Sequence, residues 1–192
     1  MRKIVLDVET KNMFSDVGGN DPTLLDMSLV CIYDSLTDSY SSYLEAELPN
    51  LWPILEQSDV LIGFNSDHFD IPLLNKYYLG DLTQKKSLDL LAEVKNVLGR
   101  RIKLDTIAEA TLGVKKSGNG LQAIAWWRNG EIDKVRQYCI DDVRITKEIY
   151  EYALANGHLK YKDWDGGVLQ IRLNTSKWEE KKAGAVTQSL PF

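Results

Sequence analysis

Apolar and charged residues alternate from the start of the chain. Ile4, Leu6 and Val8 fall on one face, and Val5, Asp7 and Glu9 on the other. That alternation predicts a strand entered at Lys3, with two carboxylates side by side on one surface. After a polar, glycine-containing stretch from Ser15 to Pro22, the segments Ser28–Tyr33 and Ser39–Leu44 flank Asp34–Asp38 and predict an antiparallel hairpin. Leu51–Gln57 predicts a short helix with Pro53 in its first turn. Val60 to Phe64 is an unbroken apolar run, as expected of a strand buried on both faces. Further helices are predicted from Asp70 to Leu79, Leu88 to Leu98, Leu104 to Leu112, Leu121 to Trp127 and, longest, Ile132 to Ala155, which Gly157 closes. His158–Tyr161 and Val168–Leu173 form a closing hairpin in this reading. Strands come first and helices dominate later, so the expected class is α/β, a mixed sheet flanked by helices. The segment from Thr175 onward is polar and rich in Lys and Glu. It predicts a domain over residues 1–174 and a flexible tail over 175–192.

Bulk properties narrow the classes of function. The 192 residues, 44% hydrophobic and 27% charged, suit one large globular domain with its own core. No run approaches the roughly 20 apolar residues of a membrane span, and the chain enters a strand at Lys3 without a signal-type apolar region. The expected location is therefore the cytoplasm, with no membrane partner. Cys31 and Cys139 lie in core-like segments without metal-ligand spacing, which predicts buried thiols rather than a zinc site or a disulfide. A net charge of −5 argues against a broad non-specific nucleic-acid surface but permits a narrow site. The basic clusters Lys85-Lys86, Arg100-Arg101 with Lys103, and Lys115-Lys116 each read singly as solvated charges.

The chemistry lies in acids scattered along the chain. Asp7 and Glu9 end the first strand, Asp70 follows a polar loop, and Asp142 lies on the longest helix. Two like charges adjacent on one strand face repel, so a site that gathers cations explains them better than a solvent-facing strand end. Asp70 reads either as a helix N-cap ahead of Pro72 or as a metal ligand, and the two roles are compatible. Tyr138 and Asp142 are spaced i and i+4 and share a helix face. Tyrosine is a poor base near neutrality, with an ordinary pKa of about 10, so Tyr138 is read as orienting a water. Convergent carboxylates suit hard divalent ions, and two such ions roughly 3.5–4 Å apart can serve both ends of an in-line phosphodiester displacement.

These segments resemble the three motifs of the DEDD exonuclease superfamily, in its DEDDy branch. Asp7-Val8-Glu9-Thr10 looks like D-x-E-T. Asn65 through Phe69-Asp70 looks like N-x(2,3)-F-D, and Tyr138 through Asp142 looks like Y-x-x-x-D. The flavour is that of the proofreading domain of family-B DNA polymerases. Ser87-Leu88-Asp89-Leu90 and Leu104 through Gly113 resemble connecting segments of that group. The resemblance implies a ribonuclease H-like fold, two Mg2+ or Mn2+ ions held by Asp7, Glu9, Asp70 and Asp142, and Tyr138 beside the attacking water. It implies 3′→5′ removal of nucleotides from a single-stranded DNA or RNA 3′ end, DNA before RNA. It also places Thr10 against the terminal nucleotide. Asn65 is read as a ligand contact or a turn former, and Phe69 as a pocket wall or stacking surface.

Several neighbours have plainer readings. In the third motif the Y-x-x-x-D register selects Asp142 over Asp141. The histidine of the other DEDD branch belongs where Tyr138 stands, so His68 is a loop residue near the site. Trp126 and Trp127 are core residues first. The terminal Gln188-Ser189-Leu190-Pro191-Phe192 faintly resembles peptides that dock on a sliding clamp, against the plainer reading of a featureless tail. Two rival functions remain: a structure-selective endonuclease on the same fold, and a non-catalytic domain binding nucleic acid or a replication partner.

Overall fold

The computed structural model describes residues 1–114 and 120–180. Its centre is a five-stranded sheet built from β1 (Lys3–Thr10), β2 (Met27–Asp34), β3 (Ser39–Leu44), β4 (Val60–Gly63) and β5 (Ser87–Asp89), in the order β3-β2-β1-β4-β5. The first three strands pair antiparallel, and β4 and β5 run parallel to β1. Helices α1 (Phe14–Val17), α2 (Leu48–Glu56), α3 (Asp70–Asn75), α4 (Leu90–Leu98), α5 (Leu104–Leu112), α6 (Gly120–Arg128) and α7 (Ile132–Asn156) surround it, and a separate hairpin of β6 (His158–Lys162) and β7 (Val168–Arg172) follows.

The strand alternation sorts the core into two layers. Ile4, Leu6, Val8, Val30 and Ile32 face α2 and α3, packing with Leu51, Leu55, Leu73 and Leu74. Val5, Leu29, Cys31 and Ile62 face the other way, onto Val135, Cys139, Val143 and Ile149 of α7. Asp7 and Glu9 share that second surface by the period of two, so they point toward α7 where the apolar layer ends. Opposite them, β1 and β2 slip register between Glu9 and Thr10, leaving Ser28 as an extra, fully buried residue on β2. Such a bulge re-aims the end of a strand, here the end that carries the acids.

Differences from the expected elements have local causes. β5 is too short for alternation to show, and its Asp89 caps α4, so strand and helix merge into one segment in a reading of periodicity. Helix α3 stops at Asn75, and Leu79, expected within it, is fully exposed. Helix α2 begins at Leu48 with Pro49 in its first turn, which leaves Pro53 inside the helix. The segment Phe14–Val17 forms a turn of helix that overlaps the start of the polar, glycine-containing stretch from Ser15 to Pro22.

Composition assigns residues 175–180 to the tail, yet they lie on the domain. Trp178 is 5% exposed and stacks on Tyr150 at 5.9 Å between ring centroids, and its indole N–H donates to Glu93 Oε2 at 3.1 Å. Glu179 accepts from Lys3 Nζ at 2.7 Å and from the Tyr150 hydroxyl at 3.0 Å. Lys86, read as a solvated charge, donates to the carbonyls of Lys177, Trp178 and Glu180. Lys85 likewise donates to the carbonyls of Glu56 and Ser58. Lys115, Lys116 and the terminal peptide 188–192 lie outside the described residues. Among the described residues no helix is long and apolar enough to cross a membrane.

Candidate active site

At the C-terminal ends of β1 and β4, the sheet opens into a cavity of 240 Å3. Asp7, Glu9, Asp70, Asp142 and Tyr138 all line it, together with Thr10, Asn65 and Phe69. Every residue singled out from the sequence as a site candidate therefore borders one space. β1 supplies Asp7 and Glu9, and α7 presents Tyr138 and Asp142 one turn apart, 5% and 4% exposed. Asp141, the neighbouring acid, is turned away and pairs with Arg144 at 3.3 Å.

Asp70 arrives through a tight turn after β4. Gly63 makes that turn passable, since a Cβ there would stand 2.4 Å from the Cβ of Ser66. Asn65 takes a left-handed conformation at φ 71°, which asparagine tolerates better than most residues. The carboxylate of Asp89 then fastens the loop. It accepts from the backbone N–H groups of Asn65 at 2.8 Å and Asp67 at 3.3 Å, and from Leu91 at 2.9 Å and Ala92 at 3.3 Å in the first turn of α4. Asp70 Oδ1 in turn accepts from the backbone N–H of Val8 at 2.8 Å, which ties α3 to β1 between the two acids of that strand.

Burial and mutual repulsion govern the electrostatics. Burial, then the charge of Asp7, pushes the Asp70 carboxyl well above the usual carboxylate range. Burial, followed by the charges of Asp142, Glu9 and Asp7, drives the Tyr138 hydroxyl upward as well, so it stays protonated at neutral pH. A protonated hydroxyl donates, and it hydrogen-bonds Asp142. Asp142 keeps its other interaction site, Oδ1, buried and outside any hydrogen bond.

One neighbour was not foreseen. Cys139, three residues before Asp142, donates its thiol to the backbone carbonyl of Asp7 at 3.3 Å and to Asp7 Oδ2 at 3.5 Å. Ligand atoms of Asp7, Glu9 and Cys139 lie within 4.8 Å of one another. Burial raises the Cys139 thiol well above its ordinary value, so it acts there as a neutral donor. Its position on the Tyr138–Asp142 face was the available signal. Both cysteines are free and buried. What remains for a cation is a set of carboxylate oxygens, which fits Mg2+ or Mn2+ and suits a soft metal poorly.

The residues expected to touch substrate are engaged as follows. Thr10 donates its hydroxyl to the Asn12 carbonyl at 2.8 Å. Asn65 Oδ1 accepts from Arg101 at 2.7 Å. Phe69 is half-buried, with its ring edge-on to Phe14 at 6.2 Å. His68 is exposed beside a neighbouring depression and does not border the acidic cavity. Trp126 packs edge-on to Tyr138 at 6.2 Å, and Trp127 is half-buried against the same core.

A protein-family model described as RNase_H superfamily matches residues 5–154. The chain belongs to the RNase_H superfamily. Its mixed five-stranded sheet flanked by helices is the ribonuclease H-like fold expected from the motifs. Among solved structures it is similar to the family B DNA polymerase from the hyperthermophilic archaeon Pyrobaculum calidifontis, with a TM-score of 0.62 and 19% identity. It is also similar to the zinc ion bound form of an E. coli ExoI-ssDNA complex, with a TM-score of 0.53 and 12% identity. These alignments cover 80% and 81% of this chain but only 24% and 41% of the polymerase and ExoI chains. At such identities the likeness is one of fold. No curated protein matches. For a member of the RNase_H superfamily, the cavity at the ends of β1 and β4 is the place to look for chemistry.

Proposed function

We propose that this RNase_H superfamily member is a metal-dependent 3′→5′ exonuclease that hydrolyses phosphodiester bonds at nucleic-acid 3′ ends, DNA in preference to RNA. One observation carries the reading: Asp7, Glu9, Asp70 and Asp142, far apart in sequence, border a single small cavity with Tyr138 among them. A binding-only domain has no use for four acids facing a polyanion, because each repels a phosphate.

Asp7, Glu9, Asp70 and Asp142 would hold two divalent ions, Mg2+ or Mn2+. When bound, the ions supply Lewis acidity, which lowers the pKa of a water and stabilises the leaving 3′ oxygen. Asp7 and Glu9 would contribute from β1, Asp70 from the loop fastened to Val8 between them, and Asp142 from α7. Tyr138, protonated and donating to Asp142, would orient the attacking water by accepting from it at the phenol oxygen, and removes no proton itself. Phe69 and Asn65 border the space where the terminal nucleotide would lie. The likeness of fold to a DNA polymerase and to an ExoI-ssDNA complex favours DNA as substrate.

The test is digestion of end-labelled single-stranded DNA, duplex DNA and RNA, with and without Mg2+. Stepwise shortening from the 3′ end is expected with metal only, and Asp7→Ala or Asp142→Ala should abolish it without unfolding the chain. Unchanged activity in either variant overturns the assignment. Cleavage of a circular single strand would instead identify an endonuclease. Failure to take up Mn2+ in calorimetry would leave only a binding role.

A further inference from the structure

A second cavity, of 580 Å3, opens beside the acidic one and shares Asp7, Tyr138 and Asp142 with it. Beyond it lies a groove of 740 Å3, continuous with it through Arg101, Ile102 and Lys103. Arg100, Arg101, Lys103 and Lys162 line this groove against one carboxylate, Asp163, on a chain whose net charge is −5. At its rim, Trp164 at the β6–β7 turn is 92% exposed.

We propose that this groove holds the single nucleic-acid strand that leads away from the end being cut, with Trp164 stacking on a base. The inference rests on the nuclease reading for the direction of the strand. A lone exposed tryptophan is ordinary, and so is a lone basic cluster. Here both occur on one groove that runs into the acidic cavity.

The turn is built to present the ring. Asp163 N–H donates to the Gly167 carbonyl at 2.8 Å, and Gly166 N–H donates to the Asp163 carbonyl at 3.0 Å. Gly166 adopts φ 84°, and Asp163 Oδ1 accepts from the Trp164 N–H at 2.9 Å. The closed turn fixes the backbone that carries the indole, so stacking has only the two side-chain torsions left to order.

The cations are available to phosphates. Arg100 pairs with a half-buried Asp163 at 3.3 Å and Lys162 with Glu109 at 2.6 Å, and both cations are exposed. Such surface pairs are weak, so a phosphate can displace the carboxylate. Arg101 is exposed and donates to the neutral Asn65 side chain at 2.7 Å. Sequence-blind strand binding commonly combines such a basic groove with an aromatic platform.

Anisotropy of a labelled oligodeoxythymidine of about 20 nucleotides, with Ca2+ replacing Mg2+ to prevent cleavage, tests this directly. Trp164→Ala is expected to weaken binding about tenfold, as loss of one base–aromatic stack implies, and to remove the tryptophan quenching that the strand causes. Arg100→Ala with Lys162→Ala should flatten the salt dependence by about 0.7 per cation removed. Both losses should be large for the long strand and small for a trinucleotide, with melting temperatures held within the error of wild type. Equal affinity in all variants, or equal losses for both lengths, overturns the groove. Because binding is read without cleavage, a wild-type chain that binds in this way yet degrades nothing defeats the nuclease reading and leaves the groove standing.

Discussion

Replacing Asp89 should damage the site from a distance. Its carboxylate touches neither the acidic cavity nor any substrate position, yet it accepts from four backbone N–H groups on two elements. Asp89→Ala removes the cap of α4, worth about 1 kcal/mol. It also strands the Asn65 amide, otherwise bonded at 2.8 Å, at a cost of about 1–3 kcal/mol for an unsatisfied, partly buried donor. The Asp67 contact at 3.3 Å adds little. A total of about 2–4 kcal/mol corresponds to a melting temperature lower by roughly 5–15 °C in a chain of this size. Because the freed loop carries Phe69 and Asp70, hydrolysis of a 3′ end at a temperature where the variant is fully folded should fall at least tenfold. Asp89→Asn retains an oxygen at the Oδ1 position, which takes three of the four bonds, and should recover most of both losses. Urea unfolding paired with single-turnover digestion checks this. An alanine variant of wild-type stability, or an asparagine variant as impaired as alanine, would refute the account of how the loop is held.

Other consequences follow from the same geometry. Tyr138→Phe keeps the ring packing on Trp126 but loses the donor, and should slow cleavage roughly 10- to 100-fold, the value of one hydrogen bond to a charged partner, while metal uptake by calorimetry stays unchanged. Trp178→Ala should cost about 3–5 kcal/mol, as for large aromatic deletions in a core, and truncation after Asn174 should cost at least as much; an unchanged melting temperature after truncation would show the docked segment to be dispensable. The Arg2 guanidinium, bonded to both oxygens of Asp34 at 3.1 and 2.6 Å, holds that carboxyl below the usual range. The stability this contributes is full above the unfolded value near about 4 and is lost as pH falls through the depressed one. Arg2→Ala should therefore lower stability at neutral pH by about 3 kcal/mol and move the acid-unfolding midpoint upward. Finally, Mg2+ or Mn2+ at about 100 times its dissociation constant should stabilise the chain by about 2.7 kcal/mol, and Asp142→Ala should abolish that increment in a thermal melt.

What could be read from the chain differed by element for physical reasons. β1, β4 and α5 carry one strong signal each: an alternation, a short apolar run, or a complete period of 3.6 closed by Gly113. The hairpin β2–β3 was readable because its turn residues interrupt two such runs. β5 was invisible because three residues hold too little period, and because the same Asp89 ends the strand and starts α4. The polar composition of 175–180 hid a single tryptophan whose docking is decided by Lys86 and Tyr150, residues that no local pattern links to it.

The site was easier to read than its supports. Each acid stands in a short motif whose residue types are dictated by what it must face, so the candidates could be named without coordinates. What holds them is long-range: Val8 to Asp70, Asn65 to Asp89, Cys139 to Asp7. These bonds use backbone groups or a thiol, which any residue or a generic core position can supply, so they leave no mark in a sequence. The supports are needed because the acids oppose one another. Asp70 is pushed toward its neutral form by burial and by Asp7, and the Tyr138 hydroxyl is kept protonated by burial and then by the charges of Asp142, Glu9 and Asp7. Left to themselves such carboxylates would spread into solvent. Fastening Asp70 through the N–H of Val8, and its loop through Asp89, keeps them close enough for cations to reverse the repulsion.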